Sequence, residues 1–210
     1  MSLQAKLEQG LQQAELNLPE NVRQKLLDYL ALLEKWNKVH NLTAVRDPEE
    51  MVTLHLLDSL SVLPHIKAKR LLDVGSGAGL PGIPLAICLP DLQVTVMDSS
   101  HKKASFMRQA KAELDIPNLE VVCGRVEKYQ PEQLFDIVIS RAFSDLAEFV
   151  ALTGHLCAPG AQWLAMKGVY PYEELAQLKI QPAQVVPLKV PGLSAQRHLV
   201  FLSSNGLEAA

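Results

Sequence analysis

The chain has 210 residues, a formal net charge of −3 and a sequence pI near 6.1, enough for one α/β domain with a substantial core and a helical appendage. That charge excludes the broadly basic footprint of a general nucleic-acid binder, so any RNA contact must come from local clusters of Lys and Arg. The N-terminal MSLQAKLEQG is polar, no apolar run approaches the length of a membrane span, and Cys88, Cys123 and Cys157 show no C-x-x-C spacing. The expectation is a cytoplasmic protein without membrane anchor, disulfide framework or zinc site, its cysteines serving as buried packing.

The first ~65 residues read as helix, interrupted at Asn17-Leu18-Pro19 and again between Asn41 and Pro48. In the second helix Val22, Leu26, Leu30 and Leu33 keep one apolar face, while Glu34 is placed to pair with Lys38. The third starts at Asp47 with Pro48 in its first turn and Glu50 positioned for a capping box. From Met51 to Leu63 it is apolar on most sides, which predicts burial. His55, Asp58 and Ser59 form a polar stripe on it that reads first as a set of satisfied buried groups.

From Arg70 the pattern changes to short apolar runs separated by helical segments, as in a parallel sheet covered on both faces. The runs are 70–75, 93–97, 119–123, 135–139, 162–166, 184–190 and 198–203. The last two are joined by Val190-Pro191-Gly192-Leu193-Ser194, a loop of turn-formers that predicts a hairpin and one antiparallel strand. The organisation expected is a helical cap over 1–66, a core over 67–204 and a disordered tail over 205–210.

The most informative stretch is Asp73 to Gly82, DVGSGAGLPG, where Gly75, Gly77 and Gly79 follow an apolar run. Such a turn reaches positive φ and lets a ligand approach bare backbone. GAGLPG also fits a dinucleotide fingerprint, which keeps a nicotinamide-dependent oxidoreductase as an alternative. Pro81 and Pro84, however, remove N–H donors where a pyrophosphate would need them. Asp73 would repel pyrophosphate but suit an ammonium or sulfonium, and S-adenosylmethionine carries both.

D-x-G-x-G-x-G after a strand resembles the first motif of Rossmann-like class I S-adenosylmethionine-dependent methyltransferases. The longer LLDVGSGAGLPGIPLAI resembles one branch, the bacterial 16S ribosomal RNA guanine-N7 methyltransferases, also called glucose-inhibited division protein B. NLTAVRDPEE (41–50), HLLDSL (55–60), MDSSHKKASF (97–106), ISRAF (139–143), MKG (166–168) and RHLVF (197–201) match that branch in order, so the resemblance covers nearly the whole chain. It implies a mostly parallel seven-stranded sheet with an antiparallel last strand and an N-terminal helical cap. It also implies methylation of N7 of one guanine, guanine-527 in the family, on 16S RNA within the small subunit or an assembly intermediate, by a monomer. A non-catalytic S-adenosylmethionine-binding RNA module is the other alternative.

On this reading the cofactor contacts are Asp73, Gly75, Gly77, Gly79, Leu80, Asp98, Ser99, Val126, Glu127 and Arg141. Asp98 ends the second strand about 20 residues past the turn, where a carboxylate meets ribose hydroxyls; capping the next helix is its plainer role. Val126 would wall the adenine and Glu127 meet its edge. Guanine N7 presents a free lone pair, so no catalytic base and no metal are expected, and Arg141 reads as a clamp on cofactor or phosphate. Lys102, Lys103, Lys167 and Arg197 are the expected RNA contacts.

Overall fold

The computed structural model describes residues 1–178 and 182–203; the tail expected over 205–210 lies outside them. Helix α1 (Leu3–Gln13) is capped by the Ser2 hydroxyl, which accepts the Ala5 N–H. After the expected break, α2 (Glu20–His40) buries Leu26, Leu30 and Leu33 along one face, and Glu34 and Lys38 pair at 2.8 Å. It stops where Asn41 takes the left-handed conformation at φ 50, ψ 57, which asparagine tolerates better than branched residues do.

The third helix, α3, is α-helical over Pro48–Met51, π-helical over Val52–Leu57 and α-helical again at Asp58–Leu60. Asp47 caps it through the Glu49 N–H, so Glu50 takes no part in a capping box. The widened turn differs from the uniform helix expected. An extra residue per turn is invisible in a segment that is apolar on nearly every side.

The sheet then alternates with helices: β1 (Arg70–Val74), α4 (Gly82–Cys88), β2 (Gln93–Asp98), α5 (His101–Glu113), β3 (Leu119–Cys123), β4 (Phe135–Ser140), α6 (Leu146–Thr153), β5 (Cys157–Lys167), α7 (Tyr172–Gln177), β6 (Pro182–Pro187) and β7 (His198–Ser203). The strand order is β3-β2-β1-β4-β5-β7-β6. β7 runs antiparallel to both its neighbours, while β3, β2, β1, β4 and β5 are parallel. The seven-stranded sheet and its antiparallel last strand are therefore as expected. β5 begins earlier than its apolar pattern suggested, because Pro159 and Gly160 are carried in a register irregularity opposite β4. The order reverses between β1 and β4, which opens a crevice at the carboxyl ends of these strands.

One apolar cluster runs without interruption from Leu7, Leu26, Leu30, Met51 and Leu56 of the N-terminal helices to Leu71, Ile83 and Val96 beneath the sheet. A second cluster, around Phe135, Phe149 and Trp163, fills the other face. Tyr29, fully buried on α2, donates its hydroxyl to the Ala78 carbonyl at 2.7 Å, which ties the helical layer to the glycine turn.

Gly82, the first residue of α4, shows how tightly this turn is packed. A Cβ there would run into Val96 Cγ1 and lie 2.9 Å from Asp73 Oδ2. In a free helix Gly→Ala gains up to about 1 kcal/mol; overpacking costs about 1–3 kcal/mol and should win. Gly82→Ala is expected to lower the urea midpoint, and an unchanged or higher midpoint would show that the turn can move away from β2.

Candidate functional site

Past β1 the chain turns through Gly75, Gly77 and Gly79 at φ 69, 62 and 90. The three glycines do different work. A Cβ on Gly75 would meet Ala142 Cβ at 2.7 Å and one on Gly79 would run into Ile83, whereas at Gly77 nothing lies within 4 Å. Only Gly77 leaves its backbone bare toward open space.

Two carboxylates hold the turn. Asp73 is wholly buried behind it, where Oδ2 accepts the Ser76 hydroxyl at 2.6 Å and the Gly82 N–H at 2.8 Å, and Oδ1 has no partner. Burial pushes its pKa up to about 7, against the opposing pull of those hydrogen bonds and of Arg141. Asp73 thus braces the loop, its donors being Ser76 within the turn and Gly82 at the start of α4. Asp98 grips from the front, Oδ2 accepting the Gly77 N–H at 3.0 Å and Oδ1 the Ser100 N–H at 2.9 Å. The helix cap is Ser100, which accepts the Lys103 N–H. Asp98 keeps further lone pairs for other donors.

Three cavities abut along the carboxyl ends of the strands. One of about 360 Å³ is lined by Met97, Asp98, Ser99, Lys103, Val126 and Glu127, among others. It shares Gly75 and Ala142 with a neighbour of about 220 Å³ that includes Leu42, Gly77 and Leu80. That in turn shares Thr43, His55 and Arg141 with a third, of about 500 Å³, which adds Asp58, Met166, Lys167 and Arg197. The row thus collects every expected cofactor residue except Asp73 and Gly79, both turned into the packing.

In the third cavity Asp58, nearly buried on α3, receives Arg141 Nη1 on Oδ2 at 2.9 Å and Arg197 Nε on Oδ1 at 2.8 Å. Lys167 donates to the Phe143 and Ser144 carbonyls and pairs with Glu174 at 2.7 Å. Its ammonium is therefore engaged within the chain. Lys103 lies 3.7 Å from Asp98 in the first cavity, whereas Lys102 is exposed on the same helix. His55 Nε2 faces Thr43 Oγ1 at 3.0 Å. Burial is the main cause pulling its pKa down to about 4; Arg141 adds to this, and the Leu54 backbone and Asp58 oppose it. The imidazole is neutral at pH 7.

Leu42 and Thr43 stood in the NLTAVRDPEE stretch that carries the resemblance, but were given no place in the site because their loop has no regular period. Asn37 shapes that loop, accepting the Thr43 N–H and donating to the Val45 carbonyl. Asp58 did carry a signal, a charge on an otherwise apolar helix, but its partners lie 83 and 139 positions away. The cysteines are half-buried free thiols, with Cys88 and Cys157 pushed up to about 12 by burial. Among the described residues no group of three or more His, Cys, Asp or Glu could hold a metal ion. No helix among them is long and apolar enough to cross a membrane.

The family described as GidB, rRNA small subunit methyltransferase G, matches residues 22–200. A ribosomal RNA small subunit methyltransferase G from Methylobacillus flagellatus is 69% identical over 203 residues, 97% of this chain and 99% of that protein. Another of the same name, from Chromobacterium violaceum, is 58% identical over 199 residues, 93% and 95% of the two chains. In fold, the crystal structure of a SAM-dependent methyltransferase from Aquifex aeolicus superposes with a TM-score of 0.57 at 20% identity, covering 80% of this chain and 96% of that one.

Two stability measurements probe this geometry. Asp73's pKa is raised from 3.8 to about 7, so its contribution is fully present below about pH 4 and is lost as pH rises through 7. Asp73→Asn should gain on wild type across that window in urea titrations; a constant difference would mean an ordinary carboxylate. His55 acts in the opposite sense, its depressed pKa giving stability that is present above 6.5 and lost as pH falls toward 4, and it cancels in this comparison. Asp58→Asn should cost about 1–3 kcal/mol, between the exposed and buried limits for ion pairs, and a loss below that range would show the two arginines to be idle in folding.

Proposed function

The chain belongs to the GidB family of small-subunit ribosomal RNA methyltransferases, and from that membership we propose that it methylates N7 of one guanine of 16S RNA, guanine-527 in the family. It is a class I enzyme with S-adenosylmethionine as its methyl donor. The observation that carries the reading is the unbroken row of cavities with Gly77 bare at its centre.

The residues present fit that cofactor. Asp98 and Ser99 would meet the ribose, with Val126 against the adenine face and Glu127 at its edge. Gly75, Gly77 and Leu80 would flank the amino-acid arm, with Arg141 closing over it. When bound, S-adenosylmethionine supplies an electrophilic methyl group on a positively charged sulfur. The third cavity would hold the guanine. Its N7 already carries an in-plane lone pair, so this chain needs no proton acceptor, and its task is alignment. Neutral His55 suits that task, since burial keeps it from taking up a proton at neutral pH, and the Asp58-bound arginines are held in place. Arg197 and Lys102 would meet phosphates, as would Lys103 at the edge of the first cavity, whereas Lys167 would act by holding the 143–144 loop.

Residues 1–66 would serve as a cap on the same compact unit, sharing its core. A net charge of −3 favours a structured or assembled small subunit over naked RNA as substrate, because little long-range attraction to phosphates is available. The protein would work as a cytoplasmic monomer.

Small subunits lacking the modification should accept labelled methyl groups at N7 of that one guanine. Binding without transfer would leave only a regulatory module, and label at another atom would refute the assignment. Gly77→Val should abolish cofactor binding in calorimetry while circular dichroism stays native, because the branched side chain enters the open space and resists positive φ. Single-turnover rates at saturation should be flat from pH 6 to 8, since His55 titrates near 4. Asp73, near 7 in the free protein, should appear only in cofactor affinity. A steep ionisation removed by His55→Ala would instead assign that residue a proton-transfer role.

A further inference from the structure

Immediately beyond the third cavity the surface becomes apolar. Met166, Lys167 and Gly168 line the cavity, and within the four residues that follow, Val169 and Tyr172 are each 74% exposed. Among the described residues Tyr172 is the one aromatic side chain in the set of large apolar groups left that exposed. Its ring lies against Tyr170 with centroids 4.3 Å apart at 40°, and Tyr170 in turn meets His198 edge-on at 5.6 Å and 84°. The assembly is fixed from below. His198 Nδ1 donates to the Gly168 carbonyl at 2.8 Å, the Tyr172 N–H donates to the Tyr170 carbonyl at 3.0 Å, and Pro171 between them is buried.

Leaving a tyrosine and a valine in water at the mouth of a polar cavity forgoes burial worth having. The segment 169–174 contains no Lys or Arg and carries Glu173 and Glu174, so it has nothing to offer a phosphate. It offers a rigid, neutral ring face. Unpaired RNA bases are bound on such faces, by stacking that tolerates any base. Given the RNA-methyltransferase reading, on which this inference rests, we propose that Tyr172, backed by Tyr170 and His198, stacks an unpaired base that neighbours the target guanine in the RNA. The stacked base would keep the strand splayed while the guanine occupies the cavity.

Tyr172 is a surface residue, so its variants should fold. With small subunits lacking the modification, Tyr172→Ala should raise the KM for the subunit roughly ten-fold, leaving kcat and S-adenosylmethionine affinity near wild type. Tyr172→Phe and Tyr172→Trp should restore it. Ultraviolet crosslinking of the wild-type complex should join Tyr172 to a nucleotide within a few positions of the methylated guanine. A wild-type enzyme that methylates while Tyr172→Ala stays within about two-fold in KM overturns the platform alone, as does a crosslink to a ribosomal protein. A wild-type protein that leaves the RNA unmethylated overturns the functional reading and the platform together.

Discussion

A single buried carboxylate holds the candidate site together. Asp58 lies on α3, Arg141 follows β4 and Arg197 precedes β7, so the two ion pairs join the helical layer, the middle of the sheet and its late hairpin at one point. Three elements far apart in the sequence thereby take a fixed distance from one another. The cavity walls follow from this, because the arginines that line it cannot swing out without stranding a buried charge. Of the two positive charges, one is neutralised by Asp58 and one remains, which suits a site that must attract an anionic strand without binding it everywhere.

The glycine turn is arranged on a similar plan, with carboxylates on both sides. Asp73 holds it through Ser76 and Gly82, and Asp98 holds Gly77 through its N–H. The backbone is set before any ligand arrives, so binding pays little for ordering the loop. The partnerless Oδ1 of Asp73 is what this costs: a buried oxygen with no donor makes the charged form expensive.

Most of the fold was legible because its signals are local. The alternation of apolar runs and helices marked all seven strands, and the turn-formers between Val190 and Ser194 marked the hairpin. The glycine spacing pointed to the turn beside which the cavities lie. What stayed hidden depends on distance or on geometry within a turn. No spacing rule links Asp58 to residues 83 and 139 positions away. The π-helical stretch of α3 has no pattern of its own in an all-apolar helix. The roles of Gly75, Gly77 and Gly79 separate only when it is known what a methyl group at each would strike. Asp73 stood in the glycine motif, but nothing in the string says that Ser76 and Gly82 would donate to it.

The position of β7 has a consequence for how the protein comes into being. β7 is inserted between β5 and β6, so β6 has no partner in the sheet until the chain beyond it has emerged. A nascent chain paused before Arg197 would hold a five-stranded sheet with β5 as an open edge, and Asp58 would face only one of its two arginines. The segment that closes the sheet also delivers Arg197 to the site. Completion of the fold and completion of the cavity are thus one event, and a partly synthesised chain has no finished pocket with which to engage RNA prematurely.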